Sequence, residues 1–332
     1  MQTEQPHPPT TQGPLGRSVV TGCAGFVGSH LAEALLKEGQ TVVGVDVFND
    51  NYSRGLKISN LRHLTEWDSF EFLPIDLAQG DLAGVVAESD VVYHLAGEPG
   101  VRSSWGDRYE TYLRNNLRAT QQLLESIKSM PDVRFVYASS SSVYGDSETM
   151  PTSESETLRP LSPYGQTKAA MELLCDLYRK SHGVDAVGLR YFTVYGPRQR
   201  PDMAFHRFCR AAINGEPIAV FGDGLQTRDF TFVSDVVAAT RAAGHMPVVD
   251  HLFNIGGGSP ASVREALSII EALADKPLDV TYGEVERGDV RDTAANTTLA
   301  RTQLAFDPRI GLEDGLTAEF AWVREAIASN LI

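Results

Sequence analysis

The sequence predicts an α/β fold, a doubly wound parallel sheet with a smaller C-terminal lobe. Three observations carry this. A glycine-rich turn, Gly22 to Gly28, follows an apolar run near the start and opens a helical stretch. Short β-branched runs then alternate with longer stretches of helical period, the pattern of βαβ units. After Thr193 that rhythm breaks into shorter elements with Pro, Gly and Arg clusters.

Residues 1–16, "MQTEQPHPPTTQGPLG", are polar and Pro-rich, lack the basic and apolar regions of a signal peptide, and read as a disordered tail. "RSVVTG" is a first strand, "CAGFVGSHLAEALLKEG" a turn and a helix ending at Gly39, and "TVVGVD" a second strand ending in Asp46. "SFEFLPID" (69–76) and "DVVYHLAG" (90–97) are two more strands. "YLRNNLRATQQLLESIKS" (112–129) has helical spacing and helix-favouring composition. "VRFVYASS" is the next strand, "PYGQTKAAMELLCDLYRKSHG" the next helix, ending at Gly183, and "VDAVGLRYF" a further strand. This places one domain at 17–189 and a lobe at 190–332, with segments free to interleave.

A chain of 332 residues with 42 % hydrophobic content can bury a sizeable core. Its net charge of −14 argues against nucleic acid or an anionic membrane as partner. No apolar run approaches the roughly 20 residues of a membrane span. An acidic chain that takes an anionic ligand must gather its arginines locally. Cys23, Cys175 and Cys209 are odd in number and widely spaced, so no disulfide framework or zinc site is expected and a reducing cytoplasm fits.

"TGCAGFVG" spaces Gly22, Gly25 and Gly28 as G-x-x-G-x-x-G. Such glycines allow a tight turn and close approach of backbone to a pyrophosphate, which the helix N-terminus attracts. Phe26 and Val27 complete the turn. Asp46 stands 18 residues beyond Gly28, at the end of the next strand. A carboxylate there accepts hydrogen bonds from an adenosine ribose and repels a 2′-phosphate, which favours NAD over NADP. Asp76 and Leu77 end the third strand and Leu95, Ala96 and Gly97 the fourth, so all five should line the cofactor groove of a Rossmann-type sheet.

Tyr164 and Lys168 stand four apart at a helix start, on one face. An ammonium near a phenol favours the phenolate, and a bound nicotinamide's positive ring adds to this, so the tyrosine could act as general base. The four serines Ser139 to Ser142 sit behind "VRFVY", either a polar spacer or, by position, a strand tip that carries chemistry.

With these motifs on the page, the sequence resembles an extended short-chain dehydrogenase/reductase of the nucleotide-sugar epimerase and dehydratase group. The carrying stretches are "TGCAGFVGSH", "HLAGEPGVRSSW", "YASSSSVYG", "SPYGQTKAAMEL", "RYFTVYGPRQRPDM", "RDFTFVSDVV" and "GDVRDT", from about Arg17 to the final helix. The resemblance implies that Ser140 hydrogen-bonds the sugar oxygen beside Tyr164. It implies that Asn116 positions groups and relays protons, though Asn115 adjoins it, and that Tyr191 lies by the cofactor. Related dehydratases carry an acid pair where Ser141 and Ser142 stand, and related decarboxylases a glutamate in place of Ser142. Their absence here favours epimerisation.

Within that group, "RYFTVYGPRQRPDMAF" resembles UDP-glucuronate 4-epimerases more than UDP-galactose 4-epimerases. By motif position Thr193 and Arg200 would meet a sugar carboxylate, with Ser139 and Ser141 as helpers; Arg198 is the competing arginine. Arg228 and Arg291 would hold the diphosphate, Met203 and Phe205 would pack near uracil, and Arg102 would close over the sugar. The implied reaction oxidises carbon 4 transiently, turns the 4-keto sugar and returns the hydride from NAD. UDP-glucose or UDP-N-acetylglucosamine 4-epimerase, UDP-glucuronate decarboxylase and a non-catalytic nucleotide sensor stay open. The resemblance also implies a homodimer built on the helices at 107–130 and 163–182.

Overall fold

A computed structural model describes residues 16–286 and 288–332. The tail expected over 1–16 therefore lies, apart from Gly16, outside the described residues. Six parallel strands form most of the central sheet: β1 (Arg17–Thr21), β2 (Thr41–Val45), β3 (Phe70–Leu73), β4 (Val91–His94), β5 (Arg134–Ser140) and β6 (Asp185–Tyr191). A seventh strand, Leu252–Ile255, joins beside β6, and the order across the sheet is Leu252–Ile255, β6, β5, β4, β1, β2, β3. The order reverses at β1, which leaves a crevice between the carboxyl ends of β1 and β4.

Both faces of the sheet are covered, which explains the near-continuous apolar strands. Val20 packs on one face with Leu31 and Leu35 of the helix Phe26–Lys37 and with Val236 of the helix Val233–His245. Its neighbour Val19 points to the other face, where Leu123, Leu124, Met171 and Cys175 close the second layer. All three cysteines are free and buried.

The C-terminal lobe has its own core around Tyr195, Phe205, Phe208, Leu316 and Phe320. The lobe is not contiguous with residues 190–332, because the segments at 233–245 and 252–255 return to the central sheet. Short parallel ladders, Thr193–Tyr195 with Phe230–Phe232 and Ile218–Phe221 with Val280–Gly283, build its strands.

Candidate active site

The carboxyl ends of the strands open into a cleft of about 460 Å³. The glycine turn forms its floor. Gly22 has φ +72°, and a Cβ there would lie 2.8 Å from the Ala96 amide nitrogen. A Cβ on Gly28 would lie 2.1 Å from the Gly22 carbonyl oxygen. Turn, helix and strand thus pack at distances that no larger residue permits. No side chain caps the helix Phe26–Lys37. Gly25, Phe26, Val27 and Gly28 all line the cleft, so the first-turn amides are open to an anion. Asp46 sits beside them, accepting from Ala24 N at 3.2 Å and Phe48 N at 2.9 Å. Asp76 accepts from Ala78 N at 3.0 Å and pairs with Arg114, and Leu77, Leu95, Ala96 and Gly97 complete the wall. This uncapped, close-packed turn with a carboxylate at the next strand end fits a dinucleotide.

The serine run is a strand tip followed by a single 3-10 turn, Ser141–Val143. Successive strand residues face opposite ways. Ser140 Oγ accepts from Ser142 N at 3.2 Å and lines the cleft near Tyr164. Ser139 also lines the cleft, and its hydroxyl donates to Glu172. Glu172 in turn forms a two-point pair with Arg190, whose Nη1 donates to the Tyr144 hydroxyl at 2.7 Å.

Ser162 caps the helix Pro163–His182 by accepting from Gly165 N, which fixes the first turn that carries Tyr164 and Lys168. Tyr164 is packed edge-on against Tyr112 at 6.2 Å. Burial pushes its phenol above the ordinary value, while the Ser140 hydroxyl and the Arg200 guanidinium pull the other way. Arg200 thus adds its positive charge at the phenol, beside the Lys168 that shares the first turns of the helix. Lys168 Nζ donates to the Ala138 carbonyl at 2.8 Å, and burial lowers its ammonium to about 8.

The helix bearing Asn115 and Asn116 contains a π turn, Leu113–Arg118, between the α segments Tyr109–Tyr112 and Ala119–Ile127. Asn115 lines the cleft, whereas Asn116 is fully buried behind the wall. The Asn116 amide accepts from Glu98 N at 2.7 Å and donates to Glu98 O at 3.1 Å and to Thr167 Oγ1 at 3.0 Å. It therefore shapes the Gly97–Glu98 backbone. Tyr191 lines the cleft with its hydroxyl bonded to Thr240 Oγ1 at 2.7 Å.

Thr193, Arg200 and Met203 line the same cleft. Phe205 does not; it packs 4.5 Å from Phe230 in the lobe core. Arg198 turns away to Glu33 at 2.7 Å, tying its loop to the first helix. An adjoining cavity of about 170 Å³ shares Ser141, Ser142 and Thr193 with the cleft and holds Arg228, which donates to the carbonyls of Val290 and Arg291. Arg102 pairs with Asp289 at 2.6 Å and lies 4.1 Å over the Phe221 ring, so it latches the two lobes together. Arg291 is exposed and pairs with Asp223 at 3.3 Å.

Sequence reasoning missed a polar group after β2 and β4, on the loops there and on the helix Arg54–Arg62. Asn49, Asn51, Tyr52, Lys57 and Glu98 all line the cleft. Glu98 accepts from Arg108 at 2.9 Å, Asn115 at 3.2 Å and Asn49 at 3.3 Å. Only the tertiary fold brings these loops together, and no local motif marks them.

Fold and site together define a dinucleotide-dependent enzyme of the short-chain dehydrogenase/reductase type. The chain belongs to the NAD dependent epimerase/dehydratase family, whose model matches residues 18–256. It is 43 % identical over 307 residues to the Uncharacterized UDP-glucose epimerase YtcB of Bacillus subtilis (strain 168), covering 92 % of this chain and 97 % of the relative. It is 37 % identical to the UDP-glucuronate 4-epimerase of Thermodesulfobacterium geofontis (strain OPF15), covering 94 % and 98 %. The crystal structure of UDP-glucuronic acid 4-epimerase from Bacillus cereus in complex with UDP-glucuronic acid and NAD superposes with a TM-score of 0.89 at 42 % identity, covering 93 % of this chain and 99 % of that one.

Proposed function

We propose that the protein is an NAD-dependent UDP-sugar 4-epimerase that interconverts UDP-glucuronate and UDP-galacturonate. One observation carries the choice of sugar: Arg200 and Thr193 line the same cleft as Tyr164, giving an acidic chain a cation where a uronate carboxylate would sit. The names of the Thermodesulfobacterium and Bacillus cereus relatives support it.

NAD, held by the glycine turn and Asp46, supplies reversible hydride transfer at carbon 4. Tyr164 takes the proton from the 4-hydroxyl and returns it once the 4-keto sugar has turned. Ser140 steadies the same oxygen. Arg200 and Lys168 favour the phenolate by their charge. Arg228 donates toward the diphosphate end through the adjoining cavity. A 4-keto uronate is a β-keto acid that loses carbon dioxide when the breaking bond stands perpendicular to the carbonyl. Before and after the turn, Thr193 and Arg200 hold the carboxylate near that plane, and Ser142 offers no acid to assist the loss.

Residues 17–189 serve as the cofactor half and 190–332 as the substrate half, with 233–255 crossing back. Leu173 and Leu177, one turn apart and 69 % and 55 % exposed, form the face through which we infer a homodimer. Among the described residues no helix is long and apolar enough to cross a membrane. The three free, buried thiols accord with the reducing cytoplasm we infer as its location.

A UDP-glucose 4-epimerase is the second reading, favoured by the name of the Bacillus subtilis relative. Incubating the protein with UDP-glucuronate and with UDP-glucose, then identifying products by NMR, decides between them. UDP-galacturonate from the first is the expected result; conversion of UDP-glucose alone would refute the uronate reading.

A further inference from the structure

Arg200 does not face the cleft bare. Its Nε donates to Asp202 Oδ1 at 3.0 Å and its Nη2 to Asp202 Oδ2 at 2.8 Å. That side-on pair takes the edge a carboxylate prefers for two-point recognition. A tight turn closed by Met203 N to Arg200 O, 3.1 Å, brings the acid back onto the arginine. The Arg200 side chain is 18 % exposed and that of Asp202 56 %, so the acid stands on the solvent side.

We propose that Asp202 is an exchange partner for the sugar carboxylate: it holds Arg200 while the 4-keto sugar turns and yields the guanidinium when the carboxylate docks. The inference rests on the uronate reading above. Inversion at carbon 4 needs both faces of the ring presented in turn, so a carboxylate on carbon 5 must leave the arginine and return. A partly buried guanidinium stripped of its partner is costly. With the substrate as its sole partner, the arginine would hold the carboxylate against turning. Asp202 supplies a replacement already in place, so docking swaps one carboxylate for another at little net cost.

The test compares wild type with Asp202→Asn, Asp202→Ala and Asp202→Glu. Steady-state kinetics are read with UDP-glucuronate, and calorimetric binding with UDP-glucuronate, UDP-glucose and UDP. For Asp202→Asn and Asp202→Ala, KM and Kd for UDP-glucuronate should fall about tenfold and kcat should fall by a similar factor, the size of one charge-assisted contact. Binding of UDP and UDP-glucose should stay put, and Asp202→Glu should restore both constants. A raised KM, equal shifts for both sugars, or unmoved constants would overturn the exchange role while leaving the uronate reading intact. Wild type that fails to convert UDP-glucuronate would instead remove the reading itself and this inference with it.

Discussion

Arg190 and Glu172 meet through two hydrogen bonds, 2.9 and 2.7 Å, with side chains only 3 % and 6 % exposed. Both ends of the stretch from Ser139 to Tyr144 bond to this pair. Glu172 accepts the Ser139 hydroxyl, Arg190 donates to Tyr144, and Tyr144 donates to Asn254 Oδ1 at 2.6 Å. Ser140, at the tip of β5, thus adjoins a turn anchored from beneath by an ion pair shared between β6 and the helix of Tyr164.

Removing one partner strands a buried charge. Arg190→Met should destabilise the fold by about 3–5 kcal/mol, and Glu172→Gln by less, because it retains a neutral acceptor. Chemical denaturation measures both. Equal, small losses would show that the pair is not what holds the turn.

Tyr164→Phe removes the hydroxyl to which the proposed mechanism gives the proton transfer, and little else. Its turnover should drop by about 10²–10⁴-fold, while circular dichroism melts stay essentially unchanged. Ser140→Ala should cost less, since it loses one hydrogen bond to the reacting oxygen.

The pH profile should report Lys168. Burial brings the ammonium from its usual 10.5 down to about 8, so it is charged below that pH and neutral above it. If the charge helps catalysis, kcat falls on the alkaline side with a midpoint near that value, and Lys168→Arg moves the limb to higher pH. Stability has the opposite sign: burying the cation costs most below the folded value, and that cost fades as pH rises toward the unfolded one. A flat alkaline profile in turnover would remove Lys168 from the mechanism.

Asp46 is aimed at the groove by two backbone amides. Asp46→Ala should weaken NAD binding about tenfold and narrow its lead over NADP. Fluorescence titration with each nucleotide tests this; unchanged preference would move ribose recognition elsewhere.

Leu173→Glu and Leu177→Glu should yield monomers by analytical ultracentrifugation, with far-ultraviolet circular dichroism unchanged. Identical sedimentation of wild type and both variants would place any interface on another face.

Local patterns were the legible part. The glycine turn, Asp46 and the Tyr164–Lys168 spacing each belong to one stretch of chain, and the fold put each in the cleft. Ser139 and Ser140 are consecutive in a strand and both line the cleft, with the Ser139 hydroxyl bonded to Glu172. One misplacement had a readable signal. Phe205, Phe208, Cys209 and Ala212 repeat at helical spacing, which marks a core stripe rather than a base-binding surface. Arg102 and Arg291 had no such signal. Their partners, Asp289 and Asp223, lie far away in sequence, and only the folded lobes bring them within reach. Asn116 has the positioning role expected of it, acting on the Glu98 backbone, but nothing in "YLRNNLR" announces the widened turn that carries it.

That widened turn makes the number of residues between Tyr109 and Ile127 a constraint in its own right. A π turn absorbs one extra residue in a widened turn, so deleting one residue there would restore regular winding, leave the flanking segments in phase and remove the bulge itself. Asn116 would swing off the Gly97–Glu98 backbone even though every side chain kept its identity. In this protein the wall of the cleft is set by a count as much as by a composition, and a shortened relative would need a different way to hold it.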